Sequence, residues 1–210
     1  MPDIRGARSV GRADDVDLLD LLWRTWHGAG LALTPEQWAA PSGLGDWTVR
    51  ELYAHVVRGV ATTAQLVPVE AEPDLPDAAA YFLALRALGG KGAEQVATAA
   101  RDWSDARDLD TLVADFGEPA AATLAAARAT GTGAVKTIAG AMRLSDYVLT
   151  RVLEATVHLL DLVAAVPGAA EVPEPALRRT VDVLADLTPP AEFIALATGR
   201  ASTGVFPVLT

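Results

Sequence analysis

Asp146-Tyr147-Val148-Leu149-Thr150-Arg151-Val152-Leu153-Glu154-Ala155-Thr156-Val157-His158-Leu159-Leu160-Asp161 is the stretch on which the fold turns. It lies within residues 144–166, which read as one long helix with Ser145 as N-cap and Pro167-Gly168 as its stop. Glu154 and His158 are spaced i, i+4. On a helix their side chains stack on one face, about 6 Å apart at Cβ, so both can reach one metal ion. A third candidate ligand, His55, falls in Thr48-Val49-Arg50-Glu51-Leu52-Tyr53-Ala54-His55, which is also strongly helical. Thr48 with Glu51 three residues on predicts a capping box, worth on the order of 1 kcal/mol. Trp47 stands where it can staple against Leu52. Leu52, His55, Val56 and Val60 share a face, which turns His55 toward the core. Two imidazoles and one carboxylate make a three-ligand set with positions left open, the catalytic rather than the structural pattern.

Working outward, residues 13–33 predict a first helix, with Val16, Leu19, Leu22, Trp23 and Trp26 at three- and four-residue steps. Thr34-Pro35-Glu36-Gln37 predicts a second, short one with threonine as N-cap and proline at the first position. Residues 41–45 read as a loop, and 68–76 as an acidic connector in which Glu70, Glu72 and Asp74 are solvated. Helices are expected over 78–88, 93–103, 118–129, 174–187 and 191–198. The Gly89-Gly90-Lys91-Gly92 break splits two of them, and 105–115 is indistinct. Gly131-Thr132-Gly133 reads as a turn, 135–141 as a short extended piece, and 206–209 as a frayed or strand-like tail. The pattern predicts an all-α chain: a bundle of four main helices over 1–166, followed by a short, mostly helical extension over 167–210.

Composition excludes several classes. The chain has 210 residues and a formal net charge of -10, and no basic stripe of the kind nucleic acid requires. Anionic membranes are disfavoured for the same reason. No apolar run approaches the roughly 20 residues of a membrane span, and Met1-Pro2-Asp3-Ile4-Arg5 has no signal-peptide apolar region. The expectation is a cytoplasmic protein. It has no cysteine, so any thiol chemistry must use a thiol that arrives from outside. No phosphate loop, dinucleotide fingerprint or nucleophile elbow is present.

Each candidate also has a plainer reading. His55 alone reads as a hydrogen-bonded core histidine, and Glu154 with His158 as a simple helix contact. Arg151, three residues before Glu154, can instead pair with it as a salt bridge. Against this, Glu154 sits in an apolar stretch, where an unpaired carboxylate is costly. Asp161, three residues after His158, can accept the second ring N–H and orient the imidazole. His27 reads as a surface or helix-end histidine, and Trp23, Trp38 and Trp103 as core.

Two segments carry a resemblance. Gly45-Asp46-Trp47-Thr48-Val49-Arg50-Glu51-Leu52-Tyr53-Ala54-His55 is one. Leu144-Ser145-Asp146-Tyr147 through Arg151, Glu154, His158 and Asp161-Leu162 is the other. Together they resemble the mycothiol-dependent maleylpyruvate isomerase family, within the wider DinB-like four-helix metalloproteins. The resemblance covers most of the first 166 residues. It implies a DinB-like antiparallel four-helix bundle and a divalent metal, usually zinc, on His55, Glu154 and His158. It implies mycothiol as co-substrate, in an actinobacterial cytoplasm, attacking a small electrophile. Collapse of the adduct after bond rotation makes a cis–trans isomerase; retention makes an S-transferase. Ala195-Leu196-Ala197-Thr198-Gly199-Arg200-Ala201 resembles a tail seen in many members, which implies that Arg200 holds an anionic group at the site. The isomerase itself carries a fuller C-terminal domain than the residues after Val166 here, so the resemblance does not name the electrophile, and both an S-transferase and a maleylpyruvate isomerase-like isomerase are expected readings. The alternatives are a non-catalytic metal- or ligand-binding bundle and a thiol-independent metal hydrolase. The expected state is monomer or homodimer.

Overall fold

The structure, a computed structural model, describes residues 14–87, 91–131 and 133–201. The 206–209 tail, Gly89-Gly90 and Thr132 lie outside them. The chain runs α1 (Asp15–Ala32), α2 (Pro35–Trp38), α3 (Val49–Ala64), β1 (Val67–Val69), α4 (Ala78–Ala87), α5 (Lys91–Asp105), α6 (Leu109–Ala114) and α7 (Glu118–Thr130). It continues through β2 (Ala134–Lys136), β3 (Ala141–Arg143), α8 (Leu144–Ala165), α9 (Glu174–Asp186) and α10 (Pro190–Ala197). It is mostly helical, with a small sheet that the all-α expectation omitted.

Local chemistry explains most element boundaries. Thr48 and Thr34 each close a capping box, with Glu51 and Gln37 respectively, so both predicted starts are found. Asp14 caps α1, and Asp108 caps a short α6 inside the stretch whose pattern was indistinct. α8 differs from expectation: its N-cap is Arg143, without a side-chain cap, because the chain passes straight from β3 into the helix. Ser145 is therefore inside the first turn.

The sheet is antiparallel in the order β1-β2-β3. Val69 faces Ala134, which faces Arg143. The predicted extended piece at 135–141 becomes two strands around a tight turn. The acidic connector supplies the third strand, and its Asp74 is not simply solvated: its carboxylate accepts from the Ala141 N–H at 2.9 Å.

α8 packs against α1 and α3, and α7 closes against the same two helices. The core between them is aromatic. Trp23, Trp26 and Tyr53 are fully buried, and Trp26 stacks on Phe116 and meets Tyr53 edge-on. Its indole N–H donates to Ala155 O at 3.0 Å, tying α1 to α8 next to Glu154. Tyr53 O–H donates to Trp26 O at 3.1 Å, tying α3 to α1. Gly30 permits this approach, because a Cβ there would overlap the Tyr53 ring. α9 packs on α8, and Arg179 grips Asp15 through two hydrogen bonds, docking the C-terminal segment on the start of α1.

Candidate metal centre

His55 comes from α3, and Glu154 and His158 from α8. The α3 start is held from two sides. Glu51 Oε2 accepts from the Thr48 N–H and hydroxyl, at 2.7 and 2.8 Å, while Glu51 Oε1 accepts from Arg101 Nε of α5. Trp47 lies against the His55 imidazole, ring centroids 5.4 Å apart, and so helps position it. One helix turn on α8 brings Glu154 and His158 together, as the i, i+4 spacing requires.

The three side chains meet. His55 Nε2 is 3.4 Å from Glu154 Oε2, and His158 Nε2 is 3.6 Å from the same oxygen. One candidate ligand atom from each residue lies within 4.8 Å of the other two. The imidazoles stand nearly perpendicular, with centroids 4.8 Å apart. All three residues are half-buried, so the cluster is reachable from solvent. Asp161 does what its spacing predicts: His158 Nδ1–H donates to its Oδ2 at 2.9 Å, which leaves Nε2 turned toward Glu154.

The electrostatics follow from burial and these contacts. Burial pushes the His55 imidazole down, with the Glu154 hydrogen bond opposing, so His55 is held neutral with a lone pair to give. Burial pushes Glu154 up, but its hydrogen bonds to His158 and His55 and the charge of Arg151 outweigh that, holding the carboxyl well below its usual range. Burial likewise lowers His158, yet the hydrogen bonds to Asp161 and Glu154 win and raise it to about 9. The donor set suits a divalent ion: one carboxylate, one neutral imidazole and one imidazole oriented by a carboxylate. His55 Nδ1 is buried without a partner, so the ring's accessible donor atom is Nε2, on the cluster side.

The competing salt bridge is not found. Among the described residues, Arg151 forms no ion pair with Glu154. Its Nε donates to Thr150 Oγ1 at 3.1 Å, and its guanidinium sits 5.1 Å from the Tyr147 ring centroid and 5.9 Å from that of Tyr81. Arg200 is exposed after α10, and its backbone N–H donates to Ala195 O; no contact in the described residues brings it to the triad. His27 lines a separate cavity of about 400 Å³ with Gly30, Leu31 and Trp38. Sequence reasoning did not foresee Trp47 lying against the His55 ring or Tyr81 of α4 facing the Arg151 guanidinium, since both contacts are made across elements.

A mostly helical chain with a His₂Glu cluster at a helix interface defines a candidate metal-binding helical protein. The model of the mycothiol maleylpyruvate isomerase N-terminal domain matches residues 19–163, and the chain belongs to that family. No curated protein and no solved structure matches it. No helix among the described residues is long and apolar enough to cross a membrane.

Proposed function

We propose that this protein is a mycothiol-dependent metalloenzyme in which His55, Glu154 and His158 hold a divalent metal, zinc first among the candidates. The observation that carries this is the convergence of both imidazole Nε2 atoms on one Glu154 oxygen, in a member of a mycothiol-associated family. The absence of cysteine from the chain supports an external thiol. When bound, the metal supplies Lewis acidity that lowers the pKa of a thiol and makes it a nucleophile at neutral pH.

The chain's own residues do the rest. Asp161 accepts the hydrogen bond of the His158 Nδ1–H and so fixes the tautomer and direction of the imidazole. Arg151 stands beside the cluster as the positive group available to an electrophile. The thiol sulfur adds to an electrophilic carbon of a small substrate, giving S-transfer, or cis–trans isomerisation if the adduct later collapses. We read the ring of α1, α8, α3 and α7 as the DinB-like antiparallel four-helix bundle of residues 1–166, with 167–210 as its extension. The same reading makes it a cytoplasmic enzyme, where a low-molecular-weight thiol pool is at hand. Arg200 is the extension's candidate for contact with substrate.

Isothermal titration of mycothiol into zinc-loaded and EDTA-stripped protein tests this. Binding only to the loaded form is expected. No binding to either form, or a protein that takes up no divalent metal, would overturn it. Turnover of an ester or amide without any thiol would replace the reading with a hydrolase.

A further inference from the structure

Arg151 and Glu154 are three residues apart on α8, a spacing at which an arginine and a carboxylate meet on one helix face. Pairs within one helix do form in this chain: Arg24 holds Asp20, and Arg178 holds Glu174. Arg151 holds no carboxylate among the described residues; its contacts are Thr150 Oγ1 and the Tyr147 and Tyr81 rings. In the two pairs that form, the acid precedes the arginine. At Arg151 the acid follows, which is the weaker order, so a competitor can win.

The competitor is aromatic and lies the other way along the helix. Tyr147 is four residues before Arg151. Long helical side chains lean toward the N-terminus, so the guanidinium starts out directed at Tyr147. It sits 5.1 Å from that ring's centroid. Thr150 fixes the lean: its hydroxyl donates to Tyr147 O at 2.6 Å and accepts from Arg151 Nε at 3.1 Å. A second ring comes from α4. Tyr81 meets Tyr147 edge-on with centroids 6.0 Å apart, and its own centroid is 5.9 Å from the Arg151 guanidinium. Both tyrosines are buried, so neither ring swings aside without opening the core. A desolvated guanidinium over aromatic faces rivals a helix ion pair in strength. Burial pushes the Tyr81 hydroxyl up; the Arg151 charge opposes that rise and the Glu154 charge adds to it, so Tyr81 stands within reach of both.

We propose that Tyr81 and Tyr147 are positioning residues that hold Arg151 off Glu154 and so keep that carboxylate free to ligate a divalent metal. A guanidinium bonded to Glu154 would occupy lone pairs that an ion needs and set a fixed positive charge against it. What Glu154 is kept for rests on the metal reading of the triad; the diversion of Arg151 does not.

The test has two arms. The first measures zinc affinity by chelator competition in wild type, Tyr81→Leu and Tyr81→Phe, each also in an Arg151→Gln background. Tyr81→Leu should weaken zinc about tenfold. Tyr81→Phe keeps the ring face and should stay within about twofold of wild type. In the Arg151→Gln background, Tyr81→Leu should cost nothing further. A merely structural role for Tyr81 would weaken zinc equally in both backgrounds, and that result overturns the proposal. So does a Tyr81→Leu protein that binds zinc as wild type does, or a Tyr81→Phe protein as weak as Tyr81→Leu. Tyr147→Leu carries the same expectations and keeps the test decisive if Tyr81→Leu does not fold. The second arm needs no metal. In a crystal structure of zinc-free Tyr81→Leu, the Arg151 guanidinium should lie within about 4 Å of the Glu154 carboxylate. A guanidinium still resting on Tyr147 would overturn the diversion. A wild type that takes up no zinc would sink the metal reading instead, while the variant's structure still decides what holds Arg151.

Discussion

The aromatic core reaches α8 at Ala155, the residue next to Glu154 of the triad, yet the two regions treat polar atoms in opposite ways. Around Trp26 and Tyr53 every side-chain polar atom is used: the indole N–H bonds Ala155 O and the phenol bonds Trp26 O. At the triad, His55 keeps a buried Nδ1 with no hydrogen-bond partner among the described residues. The first region spends its hydrogen bonds on holding three helices in place. The second brings together three side chains that could hold a metal ion. Stability and ligand binding should therefore separate when residues are changed on either side.

The largest effect should come at the ligands. His55→Ala and His158→Ala should each abolish stoichiometric zinc while leaving the helical circular dichroism nearly unchanged. Full zinc content in both variants would break the ligand assignment. On the core side, Trp26→Ala should cost about 3–5 kcal/mol in denaturant unfolding, through the cavity and the lost tie to Ala155. Zinc uptake below the unfolding transition should survive. A loss below about 1 kcal/mol would show that Trp26 does not hold the helices together as described.

Smaller effects sharpen the contrast. Asp161→Ala should weaken zinc binding about 10–100-fold, measured by competition with a chelator, because His158 loses the acceptor that orients it. The pH dependence follows from the same contact. His158 is raised to about 9 in the metal-free protein, and ligation needs its deprotonated Nε2. Zinc affinity should fall roughly tenfold per pH unit as pH drops below about 9, and level off above it. A flat profile between pH 6 and 8 would show that His158 carries no proton to displace. Last, Thr48→Ala should cost about 1 kcal/mol of stability by removing the α3 cap, with little change in zinc affinity. A large loss of zinc there would mean that the α3 start sets the position of His55 more tightly than Trp47 and the core do.

Much of this was legible along the chain. Thr48 with Glu51 announced its capping box, and Thr34 with Pro35 the start of α2, because the partners lie within one turn; the second box, of Thr34 with Gln37, emerged in the structure. Glu154, His158 and Asp161 announced their contacts for the same reason. Ser145 misled, since a good capping residue is a local preference and the strand entering α8 from Arg143 overrode it. The third strand was hidden because Val67–Val69 pairs with a segment some sixty-five residues on, and a proline-bearing acidic stretch has no strand pattern of its own.

The sequence by itself determined most of the helices, the starts at Thr34 and Thr48 and the pairing of Glu154 with His158, because each depends on side chains within four residues of one another. Only the tertiary structure decided that His55 meets that pair and that Arg151 turns to Tyr147 and Tyr81 rather than to Glu154. Those outcomes depend on how α3, α4 and α8 pack, and no local spacing encodes a contact across ninety-nine residues.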